Sequence, residues 1–376
     1  MRVLVSAGET SGDRYAAELV AELRRRFPNA EFFGCAGPRL RAENVEPIVR
    51  SEDLAVVGLF EVVRHIPRIY REYQSLLAEA ERRRPDLAIL CDAPDFNLRV
   101  AAKLKPKGIP VVDYVAPQMW AWRPWRVRKL RRIVDLLLCI FPFEEEWFNE
   151  RGVPTRYVGH PLASELGASA SREEFLERHG FDPTLPLLSV LPGSRQGEAA
   201  RHLPALLDAI ERLTATRRLN VVLAASNTTG KAFFQERISG SPVTIVENDT
   251  SNALAHADAA MVASGTATVE AALLGAPMVV FYEVSKATWL LGKPLVRVPF
   301  YSMVNLLAQR RIVPELIQHE CRGERLAEEV KKLLDDPEAN RRMRRELEDV
   351  RKALAGDQPA AVRAAEAICE RFDLTK

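Results

Sequence analysis

Short apolar runs recur along the chain, and each is followed by a stretch whose apolar positions repeat at helical spacing. The runs are Arg2–Ala7, one starting at Phe32–Gly34, Leu87–Cys91, Val111–Val115, Leu136–Ile140, Leu187–Leu191, Asn220–Ala225, Val243–Val246, Ala257–Ala263 and Met278–Tyr282. Runs that are apolar throughout, without alternation, predict strands covered on both faces. Between them, Ala16, Leu19, Val20, Leu23 and Phe27 share one helix face, and Ile69, Tyr73, Leu76, Leu77 and Ala80 share another on a helix read from about Pro67, after an apolar segment Leu54–Val63. Strictly alternating strands and helices predict α/β architecture with mostly parallel sheets.

At 376 residues the chain exceeds what one core usually covers, and the small, polar stretch Ser164–Ser171 is the natural linker. The expected division is residues 1–163, residues 172–350, and a C-terminal helical piece, 351–376. Its last helix, from about Ala360, carries an apolar stripe of Val362, Ala365, Ile368, Cys369 and Phe372. That stripe needs a partner, either the first domain or a second copy in a homodimer.

A net charge of +2 removes a global field for nucleic acid or membrane, so any basic function must be local. The five cysteines form no CxxC pair and are odd in number, which argues against a zinc site and a disulfide framework and suits a reducing cytoplasm. No apolar stretch reaches the roughly 18 residues of a membrane span, so membrane contact should be peripheral.

Several turns between the runs carry candidate chemistry. Ser264–Glu270 follows one strand and opens a helix; Gly265 permits close backbone approach, and the helix start turns unpaired N–H groups toward an anion. Glu270 would repel a diphosphate but suits a vicinal diol such as a ribose, or simply favours the helix dipole. The loop Pro192–Glu198 offers Gly193 for close approach and the Arg195 fork for phosphate oxygens. Gly8–Asp13 lacks a dinucleotide spacing, and Glu9 and Asp13 disfavour phosphate, so Glu9, Ser11, Gly12 and Asp13 read as a sugar or acceptor loop, or as a capped helix start. Asp92 and Asp95 sit where open α/β sheets place their chemistry; one could deprotonate an alcohol, or Asp95 could cap the following helix.

Arginines beside apolar groups between Arg64 and Tyr73, with Arg68 between them, read as a lipid-facing surface or a solvated amphipathic helix. The segment Trp120, Trp122, Arg123, Trp125 suits anionic lipid better than nucleic acid. His160, near the expected domain junction, reads as structural.

Taken together, Gly8–Asp13, Asp92–Asn97, Trp120–Arg123, Phe141–Glu144, Leu191–Arg195 and Ser264–Ala267 resemble, in order, the lipid-A-disaccharide synthase family. The resemblance implies a GT-B fold, two Rossmann-like doubly wound domains facing a cleft. It implies an inverting transfer of diacylglucosamine from UDP-2,3-diacylglucosamine to 2,3-diacylglucosamine 1-phosphate, with no metal and no cofactor, on the cytoplasmic side of the inner membrane. By the family's pattern Asp95 is the base, with Asp92 the alternative, while Gly193, Ser194, Arg195, Ser264, Gly265, Thr266, Glu270 and Asn305 surround UDP. The sequence departs from the pattern at Met303-Val304, where Leu-Pro is usual, at Gln309, where glycine is common, and at Glu283, where a basic residue is frequent. Rival readings are a UDP-N-acetylglucosamine 2-epimerase, another UDP-sugar transferase of the same fold, or a non-catalytic UDP-sugar sensor.

Overall fold

A computed structural model describes residues 1–54, 59–226, 228–238, 240–293, 296 and 298–374, with the side chains of 59–66, 287 and 291 left aside. The chain divides into two compact units, Met1–Ser164 with Leu354–Lys376, and Glu165–Ala353.

The first unit holds a seven-stranded sheet in the order β3-β2-β1-β4-β5-β6-β7. Its strands are β1 (Arg2–Ala7), β2 (Glu31–Ala36), β3 (Glu46–Arg50), β4 (Leu87–Cys91), β5 (Val111–Tyr114), β6 (Leu136–Cys139) and β7 (Thr155–Tyr157). The second unit holds six, in the order β10-β9-β8-β11-β12-β13. These are β8 (Leu187–Leu191), β9 (Asn220–Ala225), β10 (Thr244–Glu247), β11 (Ala259–Ala263), β12 (Met278–Tyr282) and β13 (Glu315–Ile317). Every pairing within these two sheets, among the described residues, is parallel. Inner strands such as β4, β8 and β11 are buried at every position, because helices cover both faces.

In each sheet the winding reverses once, between β1 and β4 and between β8 and β11. Ala7 lies level with Cys91, and Leu191 with Val262, so the loops leaving those strand ends emerge side by side. Such switch points are where open α/β sheets bind ligands.

Strands β3, β7 and β13 are absent from the apolar runs, and all three are sheet edges. Edge strands bury less and tolerate polar residues and proline, as Glu46-Pro47 in β3 illustrates. The helix expected from Pro67 spans Leu59–Arg83, with Pro67 in its interior. A proline reads as a helix start because its missing N–H costs nothing there, and that signal misplaced the boundary. Residues 55–58 of the expected apolar segment lie outside the described residues. Leu76 and Ala80 of this helix are buried against Leu4, Phe33 and Leu90 of the sheet, and truncating Leu76 to alanine would cost roughly 2–5 kcal/mol.

The helix Ala360–Phe372 belongs to the first unit. Ala360, Ala361, Ala364, Ala365, Ala367 and Ile368 are buried, and Arg26 reaches Glu366 at 3.3 Å while Arg363 donates to the Tyr157 carbonyl at 3.1 Å. Of the expected stripe, Ala365 and Ile368 are buried within that unit, and Val362, Cys369 and Phe372 are half-buried. Among the described residues, no helix is long and apolar enough to cross a membrane.

Candidate functional site

In the first unit the loops after β1 and β4 are built as a pair. Asp92 and Ala93 adopt left-handed backbone (φ 55° and 45°), an uncommon conformation for residues with a side chain. Asn97, fully buried, fixes it: its amide donates to the carbonyls of Asp92 (2.8 Å), Cys91 (3.1 Å) and Ser6 (3.2 Å), and its oxygen accepts from the Ser6 hydroxyl at 2.7 Å. Gly12 packs so closely on this turn that a Cβ would lie 2.9 Å from that of Asp92. Ser11 donates to Asp92 Oδ2 at 2.9 Å and the Ala93 N–H to Asp92 Oδ1 at 2.9 Å, so both oxygens are engaged locally. Asp95, in the first turn of the helix Pro94–Leu104, has a side chain 89% exposed, with Arg126 Nη2 3.4 Å away. Glu9 and Ser11 are also exposed.

Asp13 does not reach that surface. It is buried and accepts from the N–H groups of Gly37 (2.8 Å), Arg39 (2.8 Å) and Leu40 (3.3 Å), capping the short helix Pro38–Ala42. An acid near a loop glycine looks like a ligand group in sequence, but here it satisfies orphan helix donors. Deeper in the sheet, Asp113 is buried with Oδ2 unpartnered among the described residues. Burial first, and the charge of Asp92 second, push its carboxyl well above the ordinary range.

The tryptophan segment divides. Trp120 is half-buried, donates its indole N–H to Glu144 at 2.9 Å and stands edge-on to Phe143, so it is tied into the frame. Trp122 and Trp125 are exposed, and Arg123 stacks on Trp122 at 4.2 Å. Tyr73 donates to the Arg99 carbonyl and packs edge-on to Phe96, whereas Tyr70 beside it is exposed. Arg68 is ion-paired with Asp53, and the side chain of Arg64 lies outside the described residues. His160 is buried between Tyr15 and Phe141, which lowers its pKa to about 4 and marks it as structural.

In the second unit the paired loops present backbone and hydroxyls. Gly193 has φ 118°, and Arg195 stands exposed at the start of the helix Gln196–Thr214. The loop after β9 braces this turn: Thr229 donates to the Ser194 carbonyl at 3.1 Å, and its hydroxyl lies 2.6 Å from that of Ser226. After β11, Gly265 (φ 150°) precedes the helix Thr266–Leu273, and a Cβ on it would meet nothing within 4 Å. Ser264 donates to the Tyr301 carbonyl at 2.9 Å, and Glu270 is half-buried one helical turn beyond Thr266.

Asn305, expected beside the nucleotide, is fully buried. Its amide donates to the Val313 carbonyl (2.9 Å) and Glu315 Oε1 (2.8 Å), and its oxygen accepts from Ile312 N (2.8 Å) and Val313 N (3.0 Å). With all four bonds made, it shapes the loop instead of facing a ligand. Glu315, missed in the sequence, accepts from the N–H groups of Tyr301 (3.1 Å) and Ser302 (2.8 Å) and so places the carbonyl that Ser264 uses. Its signal was faint, a carboxylate on a three-residue edge strand. Gln309 ends the helix Met303–Ala308 at φ 53°, which explains why glycine suits that position. Among the described residues no cluster of histidine, cysteine and acidic side chains could hold a metal.

Two doubly wound units of this kind define the GT-B fold. Solved structures similar along nearly the whole chain include the Neisseria meningitidis UDP-GlcNAc 2-epimerase bound to UDP-GlcNAc (TM-score 0.65, 12% identity, 98% of this chain and 99% of that one). Another is CalG4, the calicheamicin glycosyltransferase (TM-score 0.60, 18% identity, 99% and 98%). At such identities they speak to the fold alone. The family model described as lipid-A-disaccharide synthetase matches residues 3–372. Curated lipid-A-disaccharide synthases from Solibacter usitatus and Myxococcus xanthus are 58% and 46% identical, each over 98% of this chain and 97% of the relative. The chain belongs to the lipid-A-disaccharide synthase family.

Proposed function

We propose that this enzyme transfers a diacylated glucosamine from UDP-2,3-diacylglucosamine to the 6-hydroxyl of 2,3-diacylglucosamine 1-phosphate, releasing UDP and a β-1,6-linked disaccharide 1-phosphate of lipid A biosynthesis. The observation that carries the reading is family membership over nearly the whole chain, at 58% identity to a lipid-A-disaccharide synthase.

Within this reading the second unit holds the donor. Amides at the two helix starts, the hydroxyls of Ser194 and Thr266, and the Arg195 guanidinium take up the charge that develops on departing diphosphate, while Ser264, its hydroxyl donated to Tyr301, holds the turn in shape. Glu270 accepts from the ribose hydroxyls. The first unit holds the acceptor near Glu9, Ser11 and Gly12, and Asp95 removes the proton from its 6-hydroxyl. Asp95 is favoured over Asp92 because its carboxylate is exposed, while both oxygens of Asp92 are used by Ser11 and Ala93. Inversion at the anomeric carbon then follows from a single displacement: the acceptor oxygen attacks, the C–O bond to UDP breaks, and the proton leaves to the carboxylate. Exposed Tyr70, Trp122 and Trp125, with Arg123, suit a peripheral seat on the inner membrane, where both acylated substrates reside.

The test is UDP release from UDP-2,3-diacylglucosamine with and without the monosaccharide phosphate. Release that depends on the acceptor and matches disaccharide formed is expected. Equal release without acceptor would mean hydrolysis or epimerisation and would overturn the synthase reading.

A further inference from the structure

One buried side chain of the second unit ties the Gly193–Arg195 loop to the loop after β12 and has no part in the scheme above. His202, on the helix Gln196–Thr214, is fully buried, edge-on to Phe281 at 5.1 Å between ring centroids. Its Nδ1 lies 2.8 Å from the Pro192 carbonyl, and its Nε2 lies 3.0 Å from the Glu283 N–H nitrogen and 3.2 Å from the Glu283 carbonyl. Pro192 immediately precedes Gly193-Ser194-Arg195, and Glu283 is the first residue past β12.

The partners decide where the proton sits. With hydrogen on Nδ1, the ring donates to Pro192 and Nε2 accepts from the Glu283 N–H, so both contacts are bonds. With hydrogen on Nε2 instead, the Nδ1 lone pair would face the Pro192 carbonyl oxygen at 2.8 Å, which is repulsive. The ring is therefore a two-ended clamp, a donor at one loop and an acceptor at the other. An apolar residue could fill the same space between Phe281 and Tyr282, but it would strand a buried N–H and a buried C=O.

Both clamped loops are fixed on their other sides as well. Gln318 accepts from Val284 N at 2.6 Å and donates to the Val284 carbonyl at 3.1 Å, while Thr229 holds the Ser194 carbonyl. His202 thus joins two turns that are each already anchored, and its loss lets one shift against the other.

We propose that His202 is a positioning residue for the donor site, setting the Gly193–Arg195 turn against the end of β12 so that the diphosphate meets amides already in place. Preorganised donors spend no binding energy on ordering themselves, so the effect falls on donor affinity. The inference rests on the donor reading of this loop.

Three variants separate its parts. His202→Asn keeps a donor where Nδ1 stands, His202→Gln places an acceptor where Nε2 stands, and His202→Leu keeps neither. UDP affinity is measured by titration calorimetry, alongside KM for donor and acceptor and the melting temperature. The leucine variant should bind UDP about tenfold more weakly, the net contribution of roughly one lost hydrogen bond, with donor KM rising in step and acceptor KM unchanged. Asparagine and glutamine should each recover part of that loss. A folded leucine variant with native UDP affinity and donor KM, or equal shifts in both KM values, would reduce His202 to a packing residue. Wild-type protein that binds no UDP would overturn the donor reading itself, and the positioning role with it.

Discussion

The two units share a topology and use it in opposite ways. At the β1/β4 switch the loops meet side chain to side chain: Ser11 bonds Asp92, and Asp95 stands out in solvent. At the β8/β11 switch the loops offer glycine, hydroxyl and backbone N–H, while other side chains brace the backbone around them, His202 at Pro192 and Glu283, Gln318 at Val284 and Glu315 at Ser302. A loop that presents charge can stay open, because an ionised carboxylate is best solvated until its substrate arrives. A loop that presents amides must be held rigid, because its donors act only if they point correctly. The first arrangement suits proton transfer and the second suits an anion.

The sharpest way to break this division is at Asp95. Asp95→Asn should lower disaccharide formation by about 10²- to 10⁴-fold, the usual worth of a general base, while UDP titrates as in wild type. A larger loss in Asp92→Asn than in Asp95→Asn would move the base one turn earlier. Weakened UDP binding in either variant would contradict the separation of roles between the units.

In the second unit the contrast between two glycines makes the next test. Gly193→Ala would drive a Cβ to 2.9 Å from the Glu198 carboxyl carbon at a left-handed φ, so lost stability should accompany any lost affinity. Gly265→Ala meets no protein atom, and its methyl points into open space. At φ 150° the alanine still strains the backbone, but without a clash its change in melting temperature should be smaller than at Gly193, while UDP should bind on the order of tenfold more weakly because the methyl takes ligand space. Glu270→Ala should weaken UDP by a similar roughly tenfold factor through loss of charge-assisted bonds to the ribose. Unchanged UDP titration would remove Glu270 from the nucleotide site.

How much of this was legible beforehand depended on where a residue gets its partners. The inner strands and the switch-point loops could be read from uninterrupted apolar runs ending in small or acidic residues, because the signal is local. Asp13, Asn305 and Trp120 could not be placed, because their roles lie in contacts with Gly37, Val313 and Glu144, distant enough in sequence that spacing carries no trace of them. Glu315 and His202 stayed hidden for the same reason. A buried polar side chain bonded chiefly to backbone has no motif, since any backbone will serve as its partner.

One of the first unit's buried supports titrates. Glu144 is buried beneath the tryptophan segment and accepts from Trp120 Nε1 (2.9 Å) and from the Phe141 N–H (3.2 Å). Burial raises its carboxyl to about 8 from the ordinary 4.5, with the two hydrogen bonds pulling the other way. The folded state therefore keeps a proton that the unfolded chain has released by about pH 5. The resulting stability is fully present below the unfolded value of 4.5 and is lost as pH rises through about 8. Urea midpoints at about pH 6 and about pH 9 should fall more in wild type than in Glu144→Gln, which cannot ionise. The variant starts lower, because its amide NH₂ must face either the Trp120 indole or the Phe141 N–H, but its pH slope should be flatter. Equal slopes would mean that Glu144 ionises in place without penalty, and that the loop above Trp120 is held as independently of pH as the donor loops.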